Sequence, residues 1–153
     1  MSIGDMFLKL QGVTGEAGDA DHKGEIDVVS WSWGMQGKSE GGLASSKARY
    51  QDLQITKRVD RSSATLMQYL STHKVADQAI LTVRKAGTTP LEYVKVELKK
   101  VRVRSLETQT DGAEVMERLA LGFASVTFTY IPQSSTGAMG GGAVTFTADV
   151  EQG

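Results

Sequence analysis

Residues able to do chemistry are few in this chain and poorly grouped. His22 and His73 are its two imidazoles among 153 residues, and cysteine is absent. That removes disulfide frameworks, thiolate zinc sites, iron–sulfur clusters and cysteine nucleophiles. A serine hydrolase needs a serine, a histidine and an orienting carboxylate, and no G-x-S-x-G elbow is present. Gly37-Lys38-Ser39 ends like a phosphate-binding loop. Ser32 stands where that pattern requires glycine, however, and Gly41-Gly42 follow where a helix would have to start. Asp19, Asp21 and Gly24 imitate part of a calcium loop, but Lys23 puts a cation where an oxygen ligand is needed and Ser30 replaces the bidentate glutamate. His22, beside Asp21 and without a second nitrogen donor nearby, reads as a surface loop residue. Ser62 and Ser63 read as a helix cap, and no carboxylate pair is singled out for glycosidic chemistry. The sequence therefore points to no catalytic residue, no metal site and no cofactor.

Charge is more informative. Lys95, Lys99, Lys100, Arg102 and Arg104 form a basic block, and Glu107, Asp111, Glu114 and Glu117 form an acidic block directly after it. Nucleic-acid binding would want aromatics interleaved on the basic face, and only Tyr93 is near. Adjacent blocks of opposite sign instead suit a head-to-tail contact between copies, which closes into a ring when the rotation permits. Over the whole chain, 17 Lys+Arg against 18 Asp+Glu give a net charge of −1, so broad polyelectrolyte binding is not indicated. The N-terminus shows no signal-peptide pattern and no stretch is apolar enough to span a membrane. Synthesis as a cytoplasmic, soluble chain is the expectation.

The elements that must position these residues are mostly strands. The length suits one domain over residues 1–153. Alternation predicts strands over 6–10, 25–33, 50–56, 79–84, 91–103 and 143–148, with a hairpin turn at 85–90. Residues 34–48 read as a long glycine-rich loop and 133–142 as a flexible one. Leu66, Met67, Tyr69 and Leu70 share a helical face, which predicts one principal α-helix over about residues 62–73. Two long strands carry a phase slip, near Lys99-Lys100 and across Ala124-Ser125. Each predicts a β-bulge, and bulged long strands predict a mainly β, antiparallel, barrel-like fold.

Three separated blocks carry a likeness. They are Gly15 to Ile26 followed by Val29-Ser30-Trp31-Ser32-Trp33-Gly34, then Ile55 to Ser63 with Leu66, and then Leu119 to Tyr130. In this order they closely resemble the haemolysin-coregulated protein (Hcp) family, the tube protein of type VI secretion. Ala64, where the family often has proline, and the glycine-rich run 139–142 depart from its pattern.

The resemblance implies a β-barrel that assembles as a homohexameric ring. Rings stack into a tube inside a contractile sheath on its baseplate, capped by a VgrG-type spike protein. The tube is secreted or delivered into a target cell, carries or chaperones small effector proteins in its lumen, and performs no catalysis. Ending near Gly153, the chain resembles the plain tube subunit without a toxic extension. Charge and resemblance together nominate Lys38, Ser39, Glu40, Arg102, Arg104, Glu114 and Glu117 as contacts between subunits or rings. A small secreted hydrolase and a monomeric ligand-binding β-barrel are the alternative readings.

Overall fold

The computed structural model describes residues 5–37, 48–85, 91–133 and 141–150. Along the chain run β1 (Met6–Leu10), β2 (Ile26–Asp27), β3 (Ser30–Ser32), β4 (Met35–Gln36), β5 (Arg49–Tyr50) and β6 (Leu53–Arg58). Helix α1 (Ser63–Ser71) follows, then β7 (Ala76–Lys85), β8 (Leu91–Asp111), β9 (Glu114–Gly122), β10 (Ser125–Tyr130) and β11 (Val144–Asp149). All recorded pairings are antiparallel, and the main sheet runs β2-β1-β7-β8-β9-β6-β3, with β10 on β8 and β11 on β10.

The segment expected as one strand over 25–33 is instead two short ones with different partners, β2 on β1 and β3 on β6. Val28 donates its N–H to Met6 of β1 and Val29 donates to Thr56 of β6, so consecutive residues bond to the two ends of the sheet. Inside, Leu8, Leu10, Leu53, Ile55, Leu81, Val96, Leu98, Leu119, Leu121 and Val126 form the core. Helix α1 lies against β8 and contributes Leu66 and Tyr69 to that core. Met67, expected on the same face, is instead 45% exposed. The 100° step places it beside the buried stripe and not on it.

The phase slip near Lys100 is real. Val96 and Leu98 are buried, then Val101 and Val103, and between them Lys100 takes the left-handed φ of 55°. Here β8 leaves β7 and β10 and begins to pair with β9, and one residue in a left-handed conformation resets which face points inward. A second irregularity at Val103/Ser105 gives β8 an extra residue, Arg104, against β9. The expected bulge at Ala124-Ser125 is instead a gap between β9 and β10, bridged by the Ala124 N–H to Lys99 carbonyl bond. Residues 34–48 are not wholly loop, because β4 and β5 pair at their base. Residues 38–47, 86–90 and 134–140, which carry most of the expected loops and the hairpin turn, lie outside the described residues.

Candidate functional site

Two polar clusters and one exposed face account for most of the side chains with chemistry. The first cluster covers the outer side of β1. Leu8 and Leu10 point inward, so alternation turns Phe7 outward, where it would be exposed. It is nevertheless fully buried, because the loop 11–25 folds back over it. His22 stacks on Phe7 with ring centroids 4.4 Å apart, and the Arg84 guanidinium lies 5.1 Å from the ring centroid. Arg84 makes two hydrogen bonds to Asp19, at 2.8 and 3.0 Å. That pairing holds the Asp19 carboxyl down at about 2 and commits it to structure, not to an ion.

His22 is therefore no surface residue, being 7% exposed between Glu25 at 3.0 Å and Glu92 at 2.6 Å. Burial alone would push its pKa down, but the two carboxylates outweigh that and raise it. The loop is tied internally by N–H bonds from Gly15 to Gly24, from Gly24 to Ala17 and from Ala17 to Glu25. Gly15 is required for this approach, since a Cβ there would collide with the Glu25 carbonyl.

The second cluster plugs one end of the barrel. Lys57 and Glu117 face each other in the β6–β9 ladder, in line with the Leu53/Leu121 and Ile55/Leu119 pairs. Both are completely buried, and they meet at 2.6 Å. Lys57 Nζ also reaches Asp60 at 3.1 Å and Ser63 Oγ at 3.4 Å. Ser63 donates to Glu117 at 3.0 Å and accepts the Asp60 N–H, while Asp60 accepts the Ser62 N–H. Ser62, at the N-cap position, makes no side-chain cap bond to the helix. The Asp60 carboxylate and the Ser63 hydroxyl satisfy N–H groups of this turn in its place, a variant of the capping box. Sequence reasoning missed this cluster, although Lys57 falls on the inward phase of Leu53 and Ile55.

Glu117, nominated as a contact between subunits, is thus corrected: with no exposed surface it offers nothing to a neighbour. Glu114 is exposed and pairs with Arg58 at 2.6 Å. Arg104 lies across Gly122 and reaches Asp52 at 3.4 Å. Arg102 is exposed on the outer face of β8, whereas Lys38, Ser39 and Glu40 fall outside the described residues. Among the described residues the structure brings together none of the nominated contacts within one chain.

The exposed face lies along β11, which pairs with β10 alone among the described strands. Its Val144 and Phe146 stand opposite Tyr130 and Phe128. Val144 is 62% exposed, while Trp33 stacks on Phe128. An apolar row beside an open strand edge is a surface on which another chain can add. Among the described residues no three metal-ligating side chains cluster, and no helix is long and apolar enough to cross a membrane. The described surface offers packing, ion pairing and an edge for strand addition.

Comparison with known proteins agrees. The family model described as "Type VI secretion system effector, Hcp" matches residues 7–130. Protein hcp1 of Pseudomonas aeruginosa is 41% identical over 155 residues, covering 97% of this chain and 96% of that protein. Among solved structures, Hcp1 from Salmonella typhimurium is 32% identical with a TM-score of 0.78, covering 97% of this chain and 95% of its own. A type VI secretion system effector from Yersinia pestis is 28% identical with a TM-score of 0.79, covering 95% and 100%. The chain belongs to the Hcp family of type VI secretion.

Proposed function

We propose that this protein is the building block of a type VI secretion inner tube: one unit per copy, six copies to a ring, rings stacked end to end and exported with the machine. The near full-length similarity to an Hcp protein carries the reading, and hexameric rings are the known assembly of that family. The open edge and apolar row of β11 support it, since a monomer would leave Val144 and Phe146 in water. Arg102, Arg104 and Glu114, with Lys38, Ser39 and Glu40, are the proposed contacts between copies or rings. A VgrG-type spike, the sheath and baseplate, and small effector proteins held in the lumen are the proposed partners. The subunit's role is structural and not catalytic. Two of the candidate groups are engaged in structure, His22 by two carboxylates and Ser63 by Lys57, Asp60 and Glu117.

Light scattering and negative-stain electron microscopy of the purified protein test this. The expected result is six-fold rings with a central opening, joining into short tubes at high concentration. A monodisperse monomer at high concentration overturns it and favours the ligand-binding barrel.

A further inference from the structure

Phe7 and His22 pose a problem that the assembly role does not explain. An outward-facing phenylalanine on β1 is kept from water by a single loop, and the side chain that seals the loop is a histidine. Each ring nitrogen of His22 faces a carboxylate, Nδ1 to Glu25 and Nε2 to Glu92. A neutral imidazole carries one N–H, so it can satisfy one of these carboxylates but must then turn a lone pair toward the other. Only the imidazolium donates to both. We propose that the loop 11–25 is a proton-dependent clasp, closed over Phe7 while His22 is an imidazolium bridging Glu25 and Glu92, and released when that proton leaves.

The surroundings fix the direction of the effect. Glu25 comes from the loop itself and Glu92 from β8. Asp19, also on the loop, is neutralised by Arg84 of β7, toward which Asp5 beside β1 lies at 3.7 Å. Asp27 on β2 stands opposite Phe7 in the ladder. Among the described residues the charged groups facing His22, apart from Arg84, are therefore acidic, and Arg84 is occupied by Asp19. The raised His22 pKa agrees with this excess of negative charge.

A histidine whose folded pKa lies above its unfolded value contributes stability that is full below that value, 6.5 here, and lost as pH rises through the folded pKa. The clasp is therefore closed below 6.5 and loosens as pH rises through the folded pKa of His22. Asp21, Lys23, Gly24 and Glu25 also form one wall of an open cleft of about 790 Å³ whose other walls include Lys9, Gln11, Asp77 and Gln78. Release of the clasp dismantles that wall, so the shape of this outer surface becomes a function of pH.

The test combines a histidine NMR titration of the full chain with amide hydrogen exchange between pH 5.5 and 9, using His73→Gln to assign the two resonances. His22 is expected to titrate above 6.5. The Ala17 and Gly24 amides should lose protection above its pKa by about tenfold for each unit of upward shift, while the β1–β7 ladder amides keep theirs. His22→Gln should abolish this pH dependence, and Glu92→Gln should lower the His22 pKa and shrink it. Should His22→Gln fail to fold, wild type and Glu92→Gln still decide. The proposal is overturned by a His22 pKa at or below 6.5, by the same pH dependence in His22→Gln, or by loss of protection equally in the loop and in the β1–β7 ladder.

Discussion

Lys57 and Glu117 occupy a layer of the barrel that leucine and isoleucine fill elsewhere, with no exposed surface on either side chain. Desolvation opposes such a pair and its Coulomb attraction offsets that only while both charges are present. Glu117→Ala leaves an ammonium buried beside Asp60 and Ser63, and should cost about 3–5 kcal/mol. The double variant Lys57→Met/Glu117→Leu removes both charges and should restore most of that loss. Urea unfolding of the three proteins checks it, and equal destabilisation by the single and double changes would show that charge burial is not the cause. This site was half legible in the sequence. The inward phase of Leu53, Ile55 and Lys57 places a lysine in the core, but Glu117 lies sixty residues away on a strand whose register only the fold supplies. His22 was illegible for the same reason: Phe7 and Glu92 approach it from fifteen residues before and seventy after, so from its neighbours alone it resembles a loop residue.

Elements were easier to read than their partners. Alternation located most of the long strands, and the apolar spacing of Leu66 and Leu70 located the helix, because burial on one face leaves a period in the sequence. The breaks were harder. Val28 and Val29 continue the apolar run, so nothing local shows that they bond to different ends of the sheet. At Lys100 the sequence did show the slip, since the apolar phase changes there. The exposed Lys100 side chain separates backbone strain from packing in a test of this corner. A β-branched residue tolerates positive φ badly, so Lys100→Val should destabilise by about 1–2 kcal/mol. Lys100→Gly relieves the strain while adding unfolded-state entropy, and should stay within about 1 kcal/mol of wild type. Chemical denaturation measures both, and a Val variant as stable as the Gly variant would show that the corner does not depend on this conformation.

At the scale of the whole molecule, a net charge of −1 leaves little long-range repulsion between copies, so stacking many of them is limited by contacts and not by overall charge. Those contacts must use side chains that reach the surface, including ones in exposed ion pairs that a neighbouring copy can exchange. Glu117 is consumed in the core, Glu114 engages Arg58 and Arg104 engages Asp52. Arg102 projects outward from β8 at the point where the strand passes from one set of partners to the other. If a neighbouring copy presents acidic groups there, Arg102→Glu turns attraction into repulsion at the joint without touching the core. The fraction of protein in rings should fall several-fold at low salt, with the circular dichroism spectrum of the chain unchanged. Because a rim charge is screened over about 8–10 Å at physiological ionic strength, added salt should narrow the gap between variant and wild type. Sedimentation at two salt concentrations reads both effects. A ring population unchanged by the reversal at low salt would remove Arg102 from the joint and leave the apolar row of β11 as the surface that closes the ring.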